Sequence, residues 1–238
     1  MLHFALFVLR EARFAIEPIL PMAIWKSSSF MAMITAVFLT LMAVGIVIWY
    51  IAAWDYNIRG YSILLNAAVM VPLAVCGALA AVLSAIAVRY IAAQYIMAIG
   101  SLASCVSLVL ISTMPEQQTY WAQVFPAVLI IAFGPDFLFT AAQIIASNTV
   151  GREEQGAAGS LIGTVVSYGL STGLGFAGTV EYYTGNAESP AQGYRNGMYL
   201  GIGMAGLAIL LALLFVRIPK DERDGWDEQE ATANPNSR

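Results

Sequence analysis

Charged residues are scarce in this sequence. Only 11% of its 238 residues are Asp, Glu, Lys or Arg, whereas 59% are hydrophobic and the mean hydropathy is +0.73. Soluble domains carry about 25% charged residues, and a soluble fold could not bury this much apolar surface. The composition therefore excludes an ordinary soluble protein and indicates a membrane protein.

Cysteine and histidine are almost absent. Cys76 and Cys105 lie in different apolar stretches, and His3 is the only histidine. Because no second cysteine or histidine stands at ligand spacing, the sequence predicts neither a disulfide framework nor a metal site. It also lacks a histidine pair or a nucleophile with a base, so we expect no enzymatic activity and no cofactor. A phosphate-binding loop is missing as well, and we expect no direct use of ATP.

The small excess of acidic residues comes from the end of the chain. The formal charge is −4, and the residues responsible cluster in the last 18 positions: Asp221, Glu222, Asp224, Asp227, Glu228 and Glu230. Such a segment is a solvated terminus and offers no basic surface to a phosphate backbone. The charge pattern therefore does not favour a nucleic-acid partner.

Six apolar stretches of about 20 residues each fill the chain from Ser29 to Val216. An α-helix of about 20 residues crosses the ~30 Å hydrocarbon core of a bilayer. We therefore predict an all-α integral membrane protein with a six-helix bundle at 29–218. A helix stump and interfacial linker at 1–28 would precede it, although a short segment lying on the membrane surface is the alternative, and a disordered cytoplasmic tail at 219–238 would follow. The predicted spans are 30–52, 62–87, 91–113, 121–146, 156–180 and 197–217.

The basic residues predict the orientation. Cytoplasmic loops near the membrane carry the excess of Lys and Arg. If the spans alternate, Arg59 and Arg195 fall on one side and eight basic residues on the other. We therefore expect both termini in the cytoplasm. The eight are Arg10, Arg13, Lys26, Arg89, Arg152, Arg217, Lys220 and Arg223.

The fourth stretch contains a helix breaker. Pro135 lacks the N–H that would bond to the carbonyl of Ile131, and Gly134 beside it adds backbone freedom. We expect the helix to kink or open here.

An acid follows at the same depth. Asp136, Thr140, Gln143 and Ser147 are spaced by four, three and four residues, which places them on one helical face. A polar stripe in a membrane helix faces protein or water. Asp136 is therefore either a proton-binding or cation-binding group that lines a central cavity with Thr140 and Gln143, or a hydrogen-bonded residue that stabilises the kink or a contact between helices.

The fifth stretch is rich in small residues. They form two rails along the helix, one of Gly159, Gly163, Ser167 and Ser171 and the other of Gly169, Gly173 and Ala177. Small residues let helices approach closely in lipid. The rails predict tight helix packing, or sliding of this helix against its neighbours during alternating access.

Other candidates rest on single features. Asn66 and Trp49 are candidate substrate contacts. The alternatives are a buried Asn that bonds another helix and ordinary aromatic packing, which is the more frequent role of such a side chain. The charged loop residues Arg152, Glu153 and Glu154 would form a cytoplasmic gate or simply be solvated. The third and sixth stretches carry few polar groups, and we assign them to a lipid-facing scaffold.

Several runs resemble a known family. They are Glu17–Pro21, Gly134–Asp136, Ser147–Gly156 and Gly178–Glu181. Together they are similar to the fungal drug/proton antiporter branch of the major facilitator superfamily, the aminotriazole-resistance-like group. The resemblance extends from about Arg10 to Lys220 and implies the C-terminal six-helix half of a transporter in the plasma or vacuolar membrane.

The resemblance implies a function, and it also implies an N-terminal bundle that this sequence does not contain. It predicts efflux of small amphipathic compounds in exchange for protons. The N-terminal bundle of that family, with its loop signature and glycine-proline signature, does not occur here, so a separate N-terminal half or a second copy would complete the transporter. A shortened gene model is one explanation. The alternative function is a half-length, non-transporting subunit that assembles with or regulates a full-length transporter.

Overall fold

The computed structural model describes residues 28–149, 155–185 and 190–216. This part of the chain is helical and contains no strand. The helix stump and linker, the charged tail, and the gate residues Arg152, Glu153 and Glu154 lie outside the described residues. The all-α fold expected from the composition is confirmed.

Six membrane-spanning helical segments account for nearly all of the described residues. Each is long and apolar enough to cross a bilayer, so the chain is an integral multi-pass membrane protein. Two of the spans are interrupted near a proline: the second consists of Ile63–Val69 and Val71–Ala87, and the fourth of Val124–Ile131 and Phe133–Thr149. The spans are Ser28–Asn57, Ile63–Ala87, Ala93–Ser112, Val124–Asn148, Gln155–Thr184 and Pro190–Leu214.

Successive spans run in opposite directions. One apolar cluster gathers Phe30, Ala93 and Ala212 at one end of the bundle, which we call the Phe30 end. A second cluster gathers Trp54 and Val124 at the other end, called the Trp54 end. Arg59 and Arg195 both belong to the Trp54 end, because they contact Met114 there.

The third span is not a lipid-facing scaffold, contrary to our expectation. Of its most apolar stretch, 56% is buried, against 17% for the second span and 22% for the fifth. The hydroxyls of Ser101 and of Thr40 in the first span are hydrogen-bonded, with 2.8 Å between Oγ and Oγ1. The hydroxyl of Ser107 donates to the carbonyl of Ala127 in the fourth span at 2.9 Å. These small hydroxyl side chains let the third span sit inside the bundle and bond to both neighbours.

The third and fourth spans cross with their backbones in contact. A methyl group on Gly100 would lie 2.8 Å from the carbonyl oxygen of Gly134, and one on Gly134 would lie 2.5 Å from Oγ of Ser104. The fourth span is interrupted at Ala132, three residues before Pro135. Gly134 therefore lies next to a helix break, and its lack of a side chain lets the backbone of the third span come into contact with it.

The two glycine rails of the fifth span have different surroundings. A methyl group on Gly173 would lie 2.5 Å from the carbonyl oxygen of Met42, and one on Gly169 would lie 3.0 Å from Cβ of Leu41. The Gly169–Gly173 rail thus packs on the first span. A methyl group on Gly163, in the other rail, meets no atom within 4 Å.

This difference predicts opposite effects of one substitution on the same helix. Gly173→Ala forces the first and fifth spans apart, because its Cβ would meet backbone atoms that cannot rotate away. We expect a loss of about 1–3 kcal/mol in the free energy of unfolding. Gly163→Ala, the matched control, meets no atom and should leave the free energy of unfolding unchanged or raise it by up to about 1 kcal/mol, because Ala favours a helix over Gly. Thermal unfolding of the purified variants in detergent measures both, and equal stability of the two variants contradicts the packing.

Candidate functional site in the fourth span

Asp136 lies at the midpoint of the fourth span, and it borders a cavity. The cavity measures about 180 Å³ and lies between the first, fourth and fifth spans. Its other lining residues include Val37, Phe139 and Val166, so the carboxylate is the charged group of an otherwise apolar wall. On its other side, Oδ2 lies 3.7 Å from where a methyl group on Gly77 of the second span would be.

The Asp136 carboxylate has no partner within the described ranges. None of their residues donates a hydrogen bond to it, and no basic side chain there forms an ion pair with it. A half-buried carboxylate in a membrane span is costly without such partners. The arrangement suits a group that gains its stabilisation from a proton, a cation or water.

The next polar residues of the stripe touch the flanking spans. Oγ1 of Thr140 and Oγ of Ser84 in the second span are hydrogen-bonded at 3.0 Å. Oε1 of Gln143 lies 3.8 Å from where a methyl group on Gly159 of the fifth span would be. The structure therefore places Asp136, Thr140 and Gln143 along the fourth span between the second and fifth.

These three spans form the open face of the bundle. The second and fifth spans are its least buried helices, and both flank the fourth. Large apolar side chains such as Val75, Val82 and Tyr168 are exposed on them. The polar stripe is thus accessible from a surface that is itself largely apolar.

Asn66 and Trp49 lie apart from this stripe. Nδ2 of Asn66 donates to the carbonyl of Ala52 at 2.9 Å, which ties the start of the second span to the first. Trp49 is 57% exposed near the Trp54 end and borders a different cavity, beside Glu181. The structure does not bring either residue to Asp136.

Our reading of the sequence missed a buried ion pair at the Trp54 end. Nη1 of Arg59 lies 2.7 Å from Oδ1 of Asp55, and the two side chains are only 2% and 1% exposed. The signal was the spacing of four residues between opposite charges, although Arg59 lies two residues after the helix ends at Asn57.

A second arginine strengthens this end of the bundle. Nη2 of Arg195 donates to the carbonyl of Met114 at 2.9 Å, and its guanidinium carbon lies 5.5 Å from the ring centroid of Trp54. Nε1 of Trp54 in turn donates to the carbonyl of Glu116 at 3.4 Å. These contacts attach the loop between the third and fourth spans to the first and sixth spans.

Tyr120 in the same loop supports the broken second span. Its hydroxyl donates to the carbonyl of Val69 at 2.8 Å, next to the helix break at Met70. Burial raises the pKa of Tyr120, and the nearby Asp55 and Tyr61 raise it further. The hydroxyl therefore stays protonated and keeps donating to the freed carbonyl.

The ion pair predicts large effects of single substitutions. Asp55→Asn leaves the Arg59 charge buried without a counter-charge, and Arg59→Met does the same to Asp55. We expect each to cost about 3–5 kcal/mol of unfolding free energy, whereas the double variant Asp55→Leu with Arg59→Met should cost much less. Glu116→Gln, an exposed carboxylate at the same end, is the control. Chemical unfolding in detergent measures all four, and single variants as stable as the control contradict the prediction.

Comparison with known proteins relates most of the chain to fungal membrane proteins named for transport or drug resistance. No family model matches it. It is 37% identical to a low affinity ammonium transporter of Saccharomyces cerevisiae, over 88% of this chain and 41% of that protein. It is 31% identical to the aminotriazole resistance protein of the same yeast, over 91% of this chain and 40% of that protein. It is 37% identical to a multidrug transporter of the major facilitator superfamily from Aspergillus fumigatus, over 56% of this chain and 26% of that protein.

These relatives agree with the fold and with the resemblance of the loop and span motifs. The ammonium transporter and the multidrug transporter are named for transport and not for an enzymatic activity. The chain spans about two-fifths of the length of the two yeast proteins that it matches. Its six spans correspond to one half of the fold of such a transporter. The chain belongs to the major facilitator superfamily, and it is similar to the group that includes the yeast aminotriazole resistance protein.

Proposed function

We propose that the chain is one six-helix half of a transporter that exports small amphipathic compounds in exchange for protons. The observation that carries the proposal is the Asp136 carboxylate, which lies at the midpoint of a span beside a cavity and has no partner within the described ranges. Ionisable groups in membrane spans mark ion or substrate pathways, because they are costly elsewhere. The relatives named for multidrug transport and aminotriazole resistance support export of small compounds.

The chemistry of the proposed step is proton exchange at Asp136. The carboxylate accepts a proton when the site opens to the acidic side and loses it when the site opens to the cytoplasm. The neutral form is cheaper to keep beside Val37, Phe139 and Val166 than the charged form, because apolar surroundings disfavour an unpaired charge. The same apolar lining suits the hydrocarbon part of an amphipathic compound.

The proposed orientation places the Trp54 end outside. Arg59 and Arg195 lie at that end, and the other nine Lys and Arg residues, including Arg238, belong to loops and termini on the opposite side if the spans alternate. Both termini are then cytoplasmic, in the plasma or vacuolar membrane. A cysteine placed at position 89 should not react with membrane-impermeant thiol reagents added from outside. Labelling of this cysteine from outside would show that the proposed orientation is wrong.

Neutralising Asp136 tests the proton-exchange role. Asp136→Asn keeps the size of the side chain but cannot ionise, so we expect it to abolish proton-driven efflux and leave thermal stability unchanged. Glu116→Gln removes an exposed carboxylate and should keep full activity. The chain is reconstituted into proteoliposomes, along with any partner bundle that co-purifies with it. Proton flux is then measured in these vesicles. Unchanged compound-driven proton flux in Asp136→Asn would eliminate the carrier role.

The alternative proposal is a half-length subunit that assembles with or regulates a complete transporter. The open face favours association in either case, since an isolated bundle would leave Asp136, Thr140 and Gln143 next to lipid. A carboxylate at mid-depth costs at least about 2.5 kcal/mol on insertion scales. The partner is an N-terminal six-helix bundle or a second copy of the chain.

Association therefore gives a separate prediction. In mild detergent the chain should migrate as a homodimer or as a complex with another bundle. Gly163→Trp places a bulky group in the open rail of the fifth span and should weaken the assembly, whereas Leu210→Trp, on the exposed side of the sixth span, should not. Light scattering coupled to size exclusion measures the mass. A monodisperse monomer that transports by itself contradicts the proposal.

A further inference from the structure

A second cavity opens between the first, fifth and sixth spans at the Trp54 end. Its volume is about 520 Å³, within the range of about 300–1,000 Å³ that is usual for small-molecule sites. Trp49, Glu181, Tyr182 and Tyr194 are among its lining residues. It lies apart from the Asp136 cavity, which has no lining residue in common with it.

Glu181 supplies the negative charge of this cavity. The hydroxyl of Tyr50 donates to its Oε2 at 2.8 Å, which holds the carboxylate in place. No Lys, Arg or His in the described part of the chain forms an ion pair with it. Arg195, next to the lining residue Tyr194, bonds instead to the carbonyl of Met114 and stacks on Trp54. The carboxylate is thus positioned but not neutralised by these residues.

Aromatic rings surround this carboxylate. Trp49 is 57% exposed and Tyr182 is 81% exposed, so a ligand can reach both rings. Tyr194 is held by Nδ2 of Asn57, which donates to its hydroxyl at 2.9 Å, and by the ring of Tyr50 with 5.3 Å between the centroids. The cavity therefore combines a fixed anionic group with a rigid aromatic wall and two accessible rings.

This combination selects one class of ligand. Aromatic faces attract cations, and alkylated ammonium groups are bound in this way because they are weakly hydrated and apolar at their surface. A metal cation is a poorer fit, since it requires several oxygen, nitrogen or sulfur ligands, and the described residues contain no group of three or more His, Cys, Asp or Glu that could hold one.

We propose that the Glu181 cavity binds an alkylated ammonium group, with the carboxylate as counter-charge and Trp49, Tyr182 and Tyr194 as the aromatic wall. The ammonium group belongs either to a choline lipid headgroup or to a free solute, because Trp49 and Tyr182 lie near the end of a span, where headgroups lie. Binding here does not depend on the transport proposed above, since it needs only the first, fifth and sixth spans.

Calorimetric titration of the full chain in nanodiscs with benzyltrimethylammonium tests the proposal. Glu181→Gln keeps an acceptor for Tyr50 and removes the charge, so it should weaken binding about tenfold or more. Trp49→Ala should weaken binding about threefold to tenfold. Glu116→Gln, an exposed carboxylate at the same end, is the matched control and should bind as the unaltered chain does. Unchanged melting temperatures show that the variants are folded.

The lipid of the nanodisc distinguishes the two sources. If choline headgroups occupy the cavity, they compete with benzyltrimethylammonium, which should therefore bind more weakly in phosphatidylcholine than in phosphatidylglycerol. Glu181→Gln should then reduce this difference in affinity between the two lipids. If free solutes are the ligand, the part of the affinity that depends on Glu181 should be the same in both. The absence of binding in both lipids, or equal binding by Glu181→Gln and the unaltered chain, overturns the proposal. Since no transport is measured, this result is separate from the test of Asp136.

Discussion

Backbone contact between helices is the constraint on which this bundle depends. In lipid, no hydrophobic force drives two apolar helices together, so close packing and hydrogen bonds must hold them. The first and fifth spans meet where Gly173 faces Met42, and the third and fourth meet where Gly100 faces Gly134. Both crossings exclude a side chain of even one carbon. The sixth span packs separately on the first and third, where Gly197 contacts Tyr50 and Gly201 contacts Leu108.

The same constraint explains why an unpaired carboxylate is informative. Thr40, Ser101 and Ser107 all use their hydroxyls for hydrogen bonds within the bundle, as polar groups in a membrane should. Asp136 has no such bond to a described residue and borders the cavity between the first, fourth and fifth spans. A polar group without a partner among the described residues, at the centre of a span, is the observation that supports the proposed role of Asp136 in transport.

The Trp54 end and the fifth span differ in how firmly they are packed. At the Trp54 end, Arg59, of the buried pair with Asp55, and Arg195, on the ring of Trp54, both bond to Met114, which attaches the loop between the third and fourth spans. Buried ion pairs contribute little net stability, yet breaking one is costly. This end is therefore built to keep one arrangement. The glycine-rich fifth span, with an open face at Gly163, offers the opposite property of a surface that another bundle can approach closely.

The sequence by itself determined the number of spans, the all-α fold and the family, because apolar length and local motifs are properties of contiguous residues. It also indicated which residues of the fourth span share a face, since helical spacing is local. It did not determine that the third span is central or that Gly134 touches Gly100, because such contacts join residues more than thirty positions apart. The pairing of Asp55 with Arg59 was visible as spacing, but only the tertiary structure shows that both are buried, since burial depends on which helices surround them.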